Sequence, residues 1–385
     1  MIKKIIFFLI LISLSFVSAC SNNNNKKNED ELIEFLKVES INEFTELKEL
    51  IIGNIVDATV KKNIKDVFEE YLDKIDSLSK VSEISNLNKE YKKKIYNQVP
   101  NNKTELDFTN LDEGLKKDVL NLLDQYLYRT NLIGIPLTSG YSLNLNSMSN
   151  DTWEYFFGEN GIKYHTPKDE YWDIKAILSN EYFIKGVNLC LDKELFKEFK
   201  NINIDSQIDF SKYSYFNYNL EKAKKYFKLA VTELIENNVY NSTLDEPVIL
   251  NIEIAYGQFT NTNKCEEIHN AIKKSIETAF NSNEVSNGSF VINVSSWTGD
   301  FFGQIYSEKL YNGKFDISFD KISGSTVDLN PYIEYLIRSS NSDLSNDLTV
   351  NWSHNTGTTD NDCIIYNGFK YSYDEVLLAL NASLN

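Results

Sequence analysis

The sequence predicts an α/β protein with an unusually helical amino-terminal region. Two patterns carry that reading. Between residues 31 and 129 the chain is almost free of Gly and Pro, and its apolar residues recur at three- and four-residue spacing. Beyond residue 175 helical stretches alternate with short segments of period-two apolar pattern, the order expected of a parallel α/β layer. A third observation narrows the class: no fixed-period repeat runs through the chain, which excludes a solenoid.

The chain opens with Lys3 and Lys4, followed by an apolar run over residues 5–16 broken by Ser13 and Ser15, and then Val17, Ser18, Ala19 and Cys20. That run is too short for a permanent bilayer-spanning helix and reads as a signal peptide, residues 1–19. The small residues ending in a cysteine resemble the lipobox of bacterial lipoproteins. The resemblance implies that Cys20 receives a diacylglycerol and becomes the mature amino terminus. Residues 21–30 (SNNNNKKNED) carry no apolar side chain to bury, so residues 20–30 read as a disordered, lipidated tether.

The 385 residues are 42% apolar, enough for one large or two mid-sized domains. The formal charge is −17, and loss of Lys3 and Lys4 with the signal peptide leaves 37 basic against 56 acidic residues, or −19. An acidic surface argues against nucleic acid and against adsorption to anionic lipid, so contact with a membrane runs through acyl chains only. After Cys20 only Cys190, Cys265 and Cys363 remain, which is no disulfide framework; three buried thiols fit better.

The helical region spans 31–145. Ile55, Val56, Val60, Ile64, Val67, Phe68, Tyr71, Leu72, Ile75 and Leu78 form the stripe of one long amphipathic helix. Leu111, Leu115, Val119, Leu122, Leu123, Tyr126 and Leu127 form a second, after a loop at 100–103, and residues 138–151 read as a polar loop. The α/β region, 146–385, holds predicted helices at 177–199 and 220–237, the latter starting at the Asn217, Tyr218, Asn219 cluster. Pro247 introduces a strand at 248–256. A helix at 262–280, an Asn287-Gly288 turn, a strand at 290–294, a helix at 301–310 and a strand at 315–319 follow.

Catalytic motifs are lacking. His165, His269 and His354 form no H-E-x-x-H pair; Cys265 and His269 lie four apart on one helix face, a two-ligand fragment better read as packing. Residues 139–142 match no nucleophile elbow, and neither a P-loop nor G-x-G-x-x-G occurs. No cofactor or metal is implied. Trp153, Trp172, Trp297 and Trp352 fall in or beside predicted loops, where aromatic side chains at the carboxyl ends of parallel strands offer contact area to apolar or peptide-like ligands.

The order of segments then becomes informative. Residues 180–193 (NEYFIKGVNLCLDK) resemble the n-x-x-F-R-x-A-l-x-x-A-i-D-R helix of bacterial solute-binding protein family 5, the oligopeptide-binding components of ABC importers. Residues 218–230 (YNLEKAKKYFKLA) resemble its Y-d-p-e-K-A helix, 248–256 its i-x-l-x-i-x-y strand, 290–297 its v-x-v-x-x-x-x-W segment and 311–316 (YNGKFD) its G-x-f-D segment. Residues 322–331 (ISGSTVDLNP) match the loop that approaches the ligand, 348–352 with 364–372 resemble the tail of a Gram-positive and mollicute branch, and 122–145 resemble a helix followed by an i-P-l strand. The chain is shorter than typical members and lacks a recognisable strand-rich opening segment. Lys185 stands as the positive residue of the first helix. The acidic residue that meets a peptide amino terminus in some members has Ser325 or Thr326 near its place and Asp328 as the nearest carboxylate.

The resemblance implies a two-lobed, periplasmic-binding-protein-like (type II) fold and no enzymatic activity. It implies a lipid-anchored protein on the outer face of the bacterial cell membrane that captures peptides for an ABC permease. A surface lipoprotein that has lost transport and serves adhesion or host interaction is the other reading. The ligand contacts implied are Trp297 with Ser323, Gly324, Ser325 and Asp328. Gly324 admits close backbone approach, and Asp328 either receives a peptide ammonium or caps a helix starting near Pro331.

Overall fold

The computed structural model describes residues 24–101, 106–108, 114–115, 118–119, 122, 134–138, 141–146, 148–162, 164–192, 195, 217–256, 262–299, 304–310, 312–321, 363–372, 375–376 and 379. Three helices open it: α1 (Asn24–Gly53), α2 (Ala58–Ile75) and α3 (Val81–Asn97). Leu32, Leu36, Phe44, Leu47 and Ile51 line the inner face of α1, and Phe44 stacks on Tyr71 of α2 at 4.3 Å between centroids. A polar chain ties the three together, with the Tyr71 hydroxyl donating to Asn88 (2.8 Å) and the Asn88 amide to Ser40 (2.9 Å).

Two expectations for this region are corrected. α1 begins at Asn24, inside the stretch predicted to be a disordered tether; residues 28–30 are exposed, so these turns extend an existing helix, for which propagation costs far less than nucleation. The stripe from Ile55 to Leu78 is one helix only from Ala58. Asp57 has extended backbone and accepts from the N–H groups of Thr59 (2.7 Å) and Val60 (3.1 Å), so capping fixes the start and leaves Val56 89% exposed.

Residues 138–151, read as a loop, supply most of a hairpin and the start of a helix. Strands β1 (Gly134–Thr138) and β2 (Tyr141–Leu145) pair antiparallel, and α4 (Asn150–Phe157) follows. The polar Ser142 and Asn144 masked a period-two pattern in which Leu143 and Leu145 face the core. β1 is an edge strand, the position that tolerates Pro136 within an i-P-l sequence.

A 3₁₀ turn (Ala176–Ser179) precedes α5 (Glu181–Cys190), where one helix over 177–199 was predicted. Asn180 separates them because its side chain accepts from Tyr182 and Phe183 N–H, at 3.0 and 3.1 Å, while its amide donates to Glu233 at 2.8 Å. α6 (Leu220–Glu236) starts at Asn219, which caps Lys222, as its Asn-rich lead-in predicts. Phe183, Phe227 and Phe280 pack ring to ring between α5, α6 and the next helix, with centroids 5.2–6.1 Å apart.

The strand–helix alternation is present. β3 (Val248–Tyr256), α7 (Thr262–Phe280), the short α8 (Asn283–Ser286), β4 (Phe290–Thr298), a π-helical turn (Tyr306–Leu310) and β5 (Ile317–Lys321) succeed one another. Asn287 and Gly288, both at positive φ, make the turn into β4. The sheet order is β1-β2-β5-β3-β4, with β3 parallel to both β4 and β5 and with β2 antiparallel to β5. Leu250, Ile252, Ile254 and Tyr256 of β3, with Phe290, Ile292 and Val294 of β4, bury one face under the helices. The fold is thus a mixed sheet with helices, and β2 joins the amino-terminal side of residue 145 to the sheet beyond it. A separate hairpin, β6 (Cys363–Tyr366) and β7 (Phe369–Ser372), meets the end of α3 through Lys370 N–H to Pro100 C=O at 3.0 Å.

The three opening helices are fastened to α5 and α6 by half-buried charges. Lys185 meets Glu43 at 2.7 Å and Glu181 at 2.9 Å, Lys222 meets Glu39 at 2.8 Å, and Glu236 accepts from the Ser82 N–H at 2.7 Å.

Candidate ligand-contact face of the sheet

The opposite face of β3 and β4 carries the odd-numbered residues. Ile249, Asn251, Asn293 and Ser295 are exposed; toward the carboxyl ends come Glu253, Ala255 and Trp297. Trp297 lies opposite Ala255 within β4, which runs to Thr298 rather than ending at residue 294, so this tryptophan sits on a strand and not in a loop. Half-buried, it packs with Trp172, Tyr171 and Phe156 against a second apolar cluster built on Trp153, Phe157, Ile305 and Phe315. Trp153 likewise leaves the predicted loop for α4, where it is 1% exposed and donates its Nε1 hydrogen to Gly313 C=O at 3.0 Å.

Charge is concentrated beside these rings. Asp316 is 1% exposed and accepts from Trp172 Nε1 (3.2 Å), from the Glu253 backbone N–H (2.9 Å) and from Lys175 Nζ (3.1 Å). Burial raises its pKa above its ordinary value, against the opposing pull of Lys175 and those donors. Lys309 reaches from the π-helical turn to Glu253 at 2.5 Å, and its ammonium lies 4.9 Å from the Trp172 ring and 5.2 Å from that of Trp297. Gly313 makes the approach possible. Its φ is +65°, and a Cβ there would fall 2.8 Å from the Phe157 ring and the Trp153 Nε1.

Of the predicted contacts, only Trp297 falls among the described residues; Cys20, Ser323, Gly324, Ser325 and Asp328 lie outside them, as do Trp352 and His354. β5 ends at Lys321 beside Tyr141 and runs parallel to β3, so its carboxyl end lies on the same side of the sheet as those of β3 and β4. Sequence reasoning missed Lys175, Glu253, Lys309 and Asp316. A signal existed for two: Glu253 is the lone carboxylate of its strand, and Asp316 closes the G-x-f-D segment.

Cys265 and His269 are buried on α7. The His269 ring instead meets the Tyr256 hydroxyl, Nδ1 to Oη 3.1 Å, and burial lowers its pKa. Burial pushes the Cys265 thiol up to about 11 and the Cys190 thiol well above its ordinary value. No group of three or more His, Cys, Asp or Glu side chains able to hold a metal occurs among the described residues, and no described helix is long and apolar enough to cross a membrane.

Neither a protein-family model nor a curated protein matches the chain. Three solved structures to which it is similar are oligopeptide-binding proteins. Haemophilus influenzae OppA in complex with RPPGFSPFR is 14% identical over 66% of this chain and 40% of that one, with a TM-score of 0.32. The substrate-binding domain of an oligopeptide ABC transporter from Bacillus anthracis is 14% identical over 67% and 44%, with a TM-score of 0.34. Listeria monocytogenes OppA bound to peptide is 13% identical over 70% and 48%, with a TM-score of 0.30, so the match spans less than half the length of each of the three.

Proposed function

We propose that this chain is a lipid-anchored, two-lobed solute-binding protein on the outer face of the cell membrane, and that it captures peptides for an ABC permease. One observation supports this most: β3, β4 and β5 run parallel and bring their carboxyl ends, with Trp297 near that of β4, to one side of the sheet. In open α/β sheets the carboxyl edge of parallel strands is where ligands bind. The segments that resemble the family include α5, capped by Asn180, and α6, capped by Asn219, and Asp316 of the G-x-f-D segment is a buried anchor for Trp172. In this reading Trp297 and Ser323, Gly324, Ser325 and Asp328 contact the peptide, and energy for transport lies with the permease. Residues 1–19 are the signal peptide, 20–30 carry the lipid, 31–145 form the helical region and 146–385 the solute-binding region.

Two experiments test the reading. Metabolic labelling with a fatty-acid probe marks the wild-type chain and not Cys20→Ser; equal labelling of both removes the anchor. Calorimetry with a peptide pool shows weakened uptake by Trp297→Ala and Asp328→Ala. Binding by both at wild-type strength, with the fold intact, places the site elsewhere.

A further inference from the structure

The chain that leaves α4 doubles back on that helix. The Ile162 N–H donates to the Tyr155 C=O (3.1 Å) and the Tyr164 N–H to the Phe156 C=O (3.1 Å), and Gly161 N–H closes the reversal on Gly158 C=O at 2.9 Å. Neither glycine has room for a side chain. A Cβ at Gly158 would fall 2.5 Å from the Glu154 carbonyl oxygen, and one at Gly161 would fall 2.6 Å from that of Phe156. Tyr171 pins the loop from its far end. Its hydroxyl accepts from the Glu159 N–H (2.9 Å) and donates to the Glu154 carboxylate (3.4 Å), while its ring packs 5.2 Å from that of Trp153. Between α4 and the returning chain these contacts hold a cup of about 400 Å³. Its walls are apolar and its rim is acidic. Tyr155 and Ile162 line it yet stay 60% and 57% exposed, and Tyr164, two residues on, is exposed as well. Asp151, Glu154 and Glu159 bring carboxylates to it, and among the described residues Lys168, 3.8 Å from Glu159, is the one ammonium on its rim.

We propose that this cup docks a partner protein through an arginine side chain flanked by apolar residues. Large apolar side chains held in water by a tightly bonded loop mark a contact surface, and the rim decides what fits it. An anion would meet like charge. A purely apolar side chain would strip water from the carboxylates and give no hydrogen bond in return. An arginine satisfies both halves of the cup. Its methylene stem lies along Ile162 and the Tyr155 ring, and its planar guanidinium takes a carboxylate in two parallel hydrogen bonds. Tyrosine and arginine are also the side chains on which binding energy concentrates at protein interfaces. Trp297 takes no part in lining the cup, so the proposal stands apart from the peptide-capture reading.

The probe is a short, dye-labelled peptide, capped at both ends, with one arginine between leucines. Its unlabelled twin, with glutamate in place of arginine, is added in excess to fill any face that takes peptides regardless of side chain. Fluorescence anisotropy with the full mature chain is expected to show binding that survives the twin and weakens as salt is raised. Tyr155→Ser and Glu154→Gln change exposed side chains and are expected to melt with the wild type while binding the probe about tenfold more weakly. Trp297→Ala is expected to bind it as the wild type does. Complete displacement by the glutamate twin, or loss in Trp297→Ala alone, places the probe on the ligand-contact face and overturns the cup. Wild-type affinity in both cup variants overturns it too, as does no binding to the wild type. Spermidine displacing the probe at equal concentration makes a free cation the occupant. Self-association of the wild type that Tyr155→Ser abolishes makes it a second copy, and either result overturns the proposal.

Discussion

The carboxylate of Asp316 collects donors from three separate stretches of chain: the Trp172 indole, the Lys175 ammonium and the Glu253 main chain. Removing it leaves the Trp172 indole and the Glu253 N–H without their acceptor in a buried place, and Lys175 without its nearest carboxylate. Asp316→Ala is therefore expected to cost about 3 kcal/mol in urea unfolding. Asp316→Asn, which keeps an oxygen for Trp172 or Glu253, is expected to lose about half as much. Equal losses would mean that the charge on Lys175 decides the matter alone. His269 makes a pH prediction. Burial depresses its folded pKa below the ordinary 6.5, so the unfolded chain binds the proton more readily. Its contribution is full above that value and is lost as pH falls toward the depressed one. His269→Gln is expected to flatten the stability profile in that window, and an unchanged slope would assign the acid sensitivity to carboxylates. The sequence marks Asp316 as the close of the G-x-f-D segment but not as an anchor, and gives no sign of the role of His269. The partner of His269 is Tyr256, thirteen positions away across a strand–helix junction.

At the scale of elements, close approach of α5 and α6 depends on Gly186. A Cβ there would lie 2.6 Å from the Phe227 ring, which Phe183 and Phe280 hold in place. Gly186→Ala gains about 1 kcal/mol of helix propensity yet is expected to lose about 2 kcal/mol net through overpacking; a stabilised variant would show that the ring yields. Local chemistry made several elements readable. Asn219 announces α6, the alternation from Val248 to Tyr256 gives β3 end to end, and Asn287-Gly288 marks the turn into β4. The misreadings have local causes. Asn180 and Asp57 cut apparently continuous apolar stripes because a cap is decided by one side chain and not by periodicity. β2 was hidden because Asn144 is buried against Ser318, where a polar residue imitates an outward position. Trp297 was misplaced because Ser295 and Ser296 broke the apolar run while the strand went on.

For the whole molecule, the helical opening region and the sheet share one hydrophobic core, and Lys185 and Lys222 fasten α5 and α6 to α1 through Glu43 and Glu39. Lys185 also lies 5.7 Å from the Tyr226 ring, so its stem and its charge both hold the junction. Lys185→Ala is expected to lower stability by about 1 kcal/mol, a loss that shrinks in high salt; a salt-independent loss would assign it to packing. The acidic composition makes nucleic acid an unsuitable partner, but composition says nothing of the ligand. That depends on which backbone groups and rings reach the carboxyl edge of β3, β4 and β5. The most direct test is native mass spectrometry of the mature chain, purified without denaturation. Capture of peptides predicts added masses that fall away as peptides on collision and fragment as such; a bare chain that stays bare after incubation with a peptide pool would contradict it.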